Sequence, residues 1–279
     1  MREPPTGTPK HMTPPSTPPT VMIIAGNDPS GGAGIAADIQ AVSALGGHPA
    51  PVVTALTVQD TRNAYRVEPV TAELVQEQAS AVLSDLDVRA IKIGLLATSE
   101  IAAAVADLLA DHPSVPVVLD PVLVAAGGAA LAEETLTEVL LERLLPAAVL
   151  VTPNALEIRR LAGEAGDRDS RARALVRRGC RYVLAKGADE DTPGVENVLY
   201  GREGLAESFR WRRLPHQYHG SGCTLAAAVA TLVALGRPLP AAVAEAQRYT
   251  WQALTGAYRP GKGQHVPRRF TAMPGDHQR

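Results

Sequence analysis

The 279-residue chain lacks cross-links, carries little aromatic surface and has no strong excess of either charge. Two cysteines, Cys180 and Cys223, cannot build a disulfide framework, which fits a reducing compartment. Two Trp, six Tyr and two Phe leave the core to aliphatic side chains. With 27 Lys+Arg against 29 Asp+Glu, the formal net charge is −2, so nothing electrostatic favours nucleic acid or an anionic membrane as a partner. The longest small and apolar run, Cys223 to Gly236, falls short of the ~20 residues of a membrane span. Residues 1–20 hold seven prolines, five threonines and no apolar stretch of signal-peptide length. They read as a disordered tail, because they bury too little to offset the entropy of ordering. Together these absences lead us to expect a soluble, cytoplasmic protein.

What remains is a globular composition, 46% hydrophobic. From Val21 onward, short β-branched runs alternate with Ala- and Leu-rich helical stretches, the pattern of a parallel sheet with crossover helices. Strands are expected near Val21–Ala25, Val52–Val58, Ala90–Ile93, Pro116–Leu119, Ala148–Val151 and Tyr182–Ala185. Helices are expected near Ala33–Leu45, Ala72–Ser84, Glu100–Ala110, Glu134–Leu144, Ala155–Leu161 and Ser170–Arg178. A weaker β region follows at Asn197–Tyr200 and Glu207–Arg212, then helices near Gly222–Leu235 and Pro240–Tyr258. The expectation is one doubly wound α/β domain over 21–279. Eight arginines between Arg159 and Arg181, against three acids, read as a solvated helix face.

Several local motifs carry chemistry, each with a plainer structural alternative. The loop Gly26-Asn27-Asp28-Pro29-Ser30-Gly31-Gly32-Ala33-Gly34 joins a strand to a helix, as a tight turn or a loop whose amides meet a ligand. It lacks both the Walker lysine and the G-x-G-x-x-G spacing. Asp38 falls within the apolar arc of Ile35, Ile39, Val42 and Leu45 at about 100° per residue. A carboxylate so placed needs a ligand or a buried ion-pair partner. Gln59 stands at the carboxyl end of a buried strand, where ligands of open α/β sheets bind, and is either an ordinary loop glutamine or an amide that suits a heteroaromatic edge. Asp120 before Pro121 is a turn signal or a magnesium–phosphate contact, and Asn154 with Glu157 is a capping box or part of the same contact. In His219-Gly220-Ser221-Gly222-Cys223-Thr224, two glycines bare backbone N–H groups at a helix start, forming an anion hole for phosphoryl transfer. The Cys223 thiol there is a base or nucleophile favoured by the helix dipole, or a small packing residue. Cys180 fits the packing alternative.

Taken together and in order, these motifs resemble a known family. Ala25 to Gly34, Thr54-Ala55-Leu56, Gln59, Lys92-Ile93-Gly94, Asp120-Pro121-Val122, Thr152-Pro153-Asn154 with Glu157, Lys186-Gly187 and Gly220 to Thr224 are similar to the hydroxymethylpyrimidine/phosphomethylpyrimidine kinases of thiamine biosynthesis. The likeness runs from about Val21 to Tyr258. It implies a ribokinase-like three-layer αβα sandwich with a central, mainly parallel sheet. It also implies ATP and Mg²⁺, and phosphorylation of 4-amino-5-hydroxymethyl-2-methylpyrimidine and then of its monophosphate. By position, Gln59, Asp38 and Gly26 meet the pyrimidine, and Gly220 and Gly222 form the anion hole. Lys186 and Ser221 contact phosphate, while Asp120, Asn154 and Glu157 organise magnesium and phosphates, Glu157 indirectly. Cys223, where most of the superfamily has aspartate, takes the hydroxyl proton. A homodimer is also implied, and because the chain ends soon after the late helix we expect no fused thiamine-phosphate synthase.

The chain departs from the family pattern in three places. Asn27 replaces the usual threonine, Thr61–Tyr65 shortens the covering flap, and Ala126-Gly127-Gly128 lacks a lysine that would grip the substrate phosphate. Two rivals share the expected fold or ligand: a pyridoxine/pyridoxal kinase, and a pyrimidine-binding sensor without catalysis.

Overall fold

A computed structural model describes residues 17–123 and 134–270. The chain runs β1 (Thr20–Asn27), α1 (Gly34–Ala44), β2 (His48–Gln59), β3 (Ala64–Pro69), α2 (Ala72–Asp85), β4 (Val88–Ile93), α3 (Ser99–Asp111) and β5 (Val117–Leu119). It resumes with α4 (Glu134–Val139), a π-helical turn (Leu140–Leu144), α5 (Leu145–Ala147), β6 (Leu150–Val151), α6 (Ala155–Ala162) and α7 (Arg168–Arg177). It ends with β7 (Tyr182–Ala185), β8 (Gly194–Gly201), β9 (Gly204–Arg212), α8 (Ser221–Ala234) and α9 (Leu239–Thr255).

Among the described residues these strands form one sheet, in the order β3-β2-β1-β4-β5-β6-β7-β8-β9. The six strands from β2 to β7 are parallel, and β3, β8 and β9 are antiparallel additions at the two edges. The chain builds β2 on one side of β1 and β4 on the other, which makes the carboxyl end of β1 a switch point where a crevice opens.

β1 is apolar at nearly every position because both of its faces are covered. Met22 and Ile24 join the layer under α2, α3 and α6. Val21, Ile23 and Ala25 join the layer under α1, α8 and α9. The αβα sandwich expected from the sequence is therefore the observed architecture. α8 runs through its own layer, and Thr224 to Leu232 are all buried. That explains a helix of almost uninterrupted small and apolar residues.

The differences from expectation have physical causes. β3 was not anticipated: its exposed Tyr65, Arg66 and Glu68 give an edge strand no apolar alternation to read. The helix expected over Glu134–Leu144 changes to π geometry at Leu140, and the strand expected from Ala148 begins only at Leu150. Thr20 already belongs to β1, so the expected tail boundary lies too late, and residues 1–16 fall outside the described part. Ala126-Gly127-Gly128 does so too.

Candidate active site

The predicted residues converge on the carboxyl edge of the sheet. A cavity of about 520 Å³ there is lined by Gly26, Gln59, Asp120, Asn154, Glu157, Lys186 and the segment from Tyr218 to Cys223. A second cavity of about 620 Å³ lies between β9 and α9. The two share Lys186, Ser221 and Gly222, so they meet at the N-terminus of α8.

One wall is the first loop. The Asp28 carboxylate folds it by accepting from Ser30 N at 2.8 Å, Ser30 Oγ at 2.9 Å and Ala33 N at 2.8 Å. Asp28 Oδ2 also lies 2.8 Å from His219 Nε2. Burial opposes this carboxylate, but His219 and Ser30 outweigh it and hold its pKa below the ordinary value. The same ring nitrogen lies 2.8 Å from the Gln59 amide. His219 Nε2 therefore stands between the Asp28 carboxylate and Gln59 Nε2, with the tautomer setting which contact it donates to or accepts from. Gln59 is thereby oriented at the cavity wall by a residue far along the chain. Loop and helix approach so closely that a Cβ at Gly220 (φ +77°) would lie 2.0 Å from the Gly32 carbonyl oxygen.

The flap is short, and it is tied down. Asp60 Oδ1 accepts from Arg62 N at 2.7 Å and Asn63 N at 2.9 Å, closing the β2–β3 turn. Gly263 N donates to Thr61 Oγ1 at 2.9 Å, and Gln264 N to Thr61 O at 2.8 Å. The segment after α9 thus straps the hairpin tip down beside the cavity.

Beneath the loop, Asp38 is sealed from solvent and does not line either described cavity. Its Oδ2 accepts from Lys92 Nζ at 2.6 Å, both side chains being fully buried. The structure therefore corrects the assignment of Asp38 to the pyrimidine: of the two possibilities open in the sequence, it takes the ion pair. Burial raises its carboxyl to about 6, against the pull of Lys92. Lys92, which does line the smaller cavity, is opposed by burial but held above the ordinary lysine range by Asp38, Cys223 and Asp120.

Across the cavity, Asp120 Oδ1 accepts from Thr152 Oγ1 at 2.8 Å and from Lys186 Nζ at 3.0 Å. Burial pushes this carboxyl up, but Lys186 and Lys92 outweigh it and keep it below the usual range. Asn154 caps α6, accepting from Leu156 N and Glu157 N at 2.9 Å, and Glu157 Oε2 accepts from Asn154 N at 2.8 Å. The capping box is therefore formed, and both residues line the cavity as well. Burial lifts the Glu157 carboxyl to about 7.

At the head of α8, a Cβ on Gly222 would lie 3.2 Å from Lys186 Nζ and 3.5 Å from Asp120 Oδ2. The start of α8 thus lies beside the Lys186 ammonium, an arrangement whose electrostatics favour an anion. Cys223 is half-buried beside it. The expected lowering of its thiol is corrected: burial pushes it up to about 11, with Asp38 and Asp120 adding to the rise and Lys92 opposing it. Cys180 is buried, its thiol raised to about 12 by desolvation, as a packing residue should be.

Three contributors carried no assigned role in the sequence: His219, Lys92 and Arg269. Lys92 was detectable, being a charge inside an apolar strand. Arg269 gave no signal, yet it is buried, donating to Thr224 Oγ1 at 2.9 Å, to Gln40 Oε1 at 3.1 Å and to the Gly32 carbonyl. It fastens the first loop to α8.

Comparisons with known proteins give the family and the fold. A family model described as phosphomethylpyrimidine kinase matches residues 28–268. A hydroxymethylpyrimidine/phosphomethylpyrimidine kinase from Rhizobium meliloti (strain 1021) is 42% identical over 248 residues, covering 87% of this chain and 93% of the relative. The crystal structure of phosphomethylpyrimidine kinase from Clostridium difficile 630 superposes with a TM-score of 0.73 at 30% identity, over 85% of this chain and 100% of the other. Pyridoxal kinase from Staphylococcus aureus in complex with AMP-PCP and pyridoxal gives a TM-score of 0.81 at 25% identity, over 91% and 94%.

Proposed function

The chain belongs to the phosphomethylpyrimidine kinase family, and from that premise we propose that it phosphorylates 4-amino-5-hydroxymethyl-2-methylpyrimidine, and then the monophosphate, at the expense of ATP. The observation that carries this reading is the meeting of two cavities at one anion site on α8. The smaller contains Gln59 and Cys223 and takes the acceptor ring; the larger contains the tryptophans and takes the nucleotide. Phosphoryl transfer then occurs across Gly220–Gly222, where Lys186 and the helix amides stabilise the developing charge.

In this reading Gln59, held by His219, meets the pyrimidine edge beside Gly26, and Asp38 acts from below by holding Lys92. Magnesium fits the donor set: hard carboxylate oxygens, with Asp120 Oδ2 facing the anion site, and among the described residues no cluster of three or more ligating side chains. Mg²⁺ takes one or two carboxylates plus substrate phosphates in such sites, and Asp120 with Glu157 would supply them. When bound, the metal neutralises phosphate charge. Cys223 accepts the hydroxyl proton. A thiol at about 11 is mostly protonated near neutral pH, so electrostatic stabilisation carries most of the acceleration. A cytoplasmic homodimer is part of the same proposal, and sedimentation checks the assembly.

The test is ADP release with Mg·ATP and hydroxymethylpyrimidine, following product phosphates by mass, with pyridoxine in parallel. Monophosphate and then diphosphate are expected. Pyridoxine turnover without pyrimidine turnover would overturn the ring assignment, and pyrimidine binding without ADP would make the protein a sensor.

A further inference from the structure

An arginine is buried behind the start of α8 without a carboxylate partner. Arg269 is 2% exposed and lines neither cavity, standing instead between the first loop and α8. Among the described residues its guanidinium donates to neutral acceptors alone: Thr224 Oγ1 at 2.9 Å, Gln40 Oε1 at 3.1 Å and the Gly32 carbonyl. Asp38 feels this charge but closes on Lys92 instead. Burial pushes Arg269 below the ordinary arginine range, yet a guanidinium keeps its proton throughout the physiological range. A buried cation is strongly disfavoured unless paired, and neutral acceptors offset only part of that penalty.

The segment after α9 carries the side chain to this place. Val266 N donates to Tyr258 O at 2.8 Å, Arg268 N to Ala253 O at 2.9 Å, and the Tyr249 hydroxyl to Arg269 O at 2.9 Å. Arg269 Nε then reaches Thr224 Oγ1, whose own proton goes to the Gly220 carbonyl at 2.7 Å. Thr224 N donates to the same carbonyl at 2.9 Å. In a planar trans peptide the N–H points opposite the carbonyl. Holding the Gly220 carbonyl along α8 therefore aims the Ser221 amide out of the helix start. The guanidinium is close behind this turn, since a Cβ on Gly220 would lie 2.9 Å from Arg269 Nη2.

We infer that Arg269 is a positioning residue for phosphate at the start of α8: through Thr224 it sets the Gly220 turn, and its uncompensated charge favours the phosphates of the nucleotide. It touches no ligand and acts through the turn and through space. The inference rests on the reading in which those phosphates bind at Gly220–Gly222, and it adds to that site a residue from beyond α9.

The experiment compares ADP with adenosine by titration calorimetry on the full-length wild type, Arg269→Gln, Arg269→Lys and Thr224→Val. Glutamine removes the charge, lysine keeps it without the fork, and valine cuts the link to Gly220 with the arginine in place. Arg269→Gln should raise the Kd of ADP about 10-fold and leave that of adenosine, which carries no phosphate, little changed. Arg269→Lys should recover most of the ADP affinity. Thr224→Val should weaken ADP about 3-fold, again without adenosine, and it decides the matter if Arg269→Gln does not fold. A residue serving the fold alone would weaken both ligands alike or neither, and either pattern would overturn the inference. So would a lysine variant no better than glutamine. Because the readout is phosphate binding, selective loss of ADP in a protein that leaves pyrimidine unphosphorylated would keep this inference and remove the proposed acceptor. Pyrimidine turnover without any selective loss would do the reverse.

Discussion

Two lysine–aspartate pairs lie close to the start of α8, built from the same residue types and serving different ends. Lys92–Asp38 is closed at 2.6 Å with both side chains at 0% exposure, and among the described residues Asp38 Oδ1 has no hydrogen bond. Lys186–Asp120 is longer, 3.0 Å, with 13% and 3% exposure, and it borders both cavities through Lys186. The first pair has no solvent-exposed side-chain surface, although Lys92 borders the smaller cavity, so its worth lies in not being broken: removing one partner strands a charge in a medium that solvates it poorly. The second opens onto the proposed anion site, where in that reading a phosphate competes for the ammonium. Equal chemistry becomes scaffold or site according to what each pair faces.

Four changes would break or sharpen that contrast. Lys92→Met should have the largest effect, about 3–5 kcal/mol of stability by denaturant unfolding, because Asp38 loses its counterion. The double variant Lys92→Met/Asp38→Leu should recover most of it, and no recovery would mean the pair acts on the site. Lys186→Met should reverse the pattern, losing clearly less stability while kcat falls about 10²–10³-fold; a large Tm loss with near-normal turnover would erase the distinction. Cys223→Ala should cost about 10²-fold in kcat, the low end for a positioned base, with pyrimidine KM little changed. Wild-type kcat/KM should keep rising above about pH 8 and the variant's should not, as the thiol titrates near 11.

The smallest effect concerns Glu157. Its folded pKa of about 7 lies above the ordinary 4.5, so the native state holds the proton more tightly. The associated stability is complete below 4.5 and is lost as pH rises through about 7. Glu157→Gln keeps an acceptor for the α6 cap and should flatten that slope in unfolding experiments at several pH values. An unchanged slope would mean that another group titrates there.

The legible parts of the site were those whose signal is local. Glycines before a small-residue helix marked the head of α8, and Asn154 with Glu157 three residues on marked both the cap and the cavity wall. Asp38 was visible as a misfit on an apolar face, but which partner met it was not, since Lys92 lies 54 residues away. His219 stood inside a recognised motif without a role, because its partners Asp28 and Gln59 belong to β1's loop and to β2. Arg269 had no local pattern at all.

By itself, the sequence determined the alternation of strands and helices, the apolar central strands and the family, because periodicity, caps and ordered motifs are properties of short segments. Only the tertiary structure decided which charges became scaffold and which became site, and that the Cys223 thiol sits high rather than low. Those outcomes depend on burial and on neighbours from distant parts of the chain, and solvation is set by everything that surrounds a group.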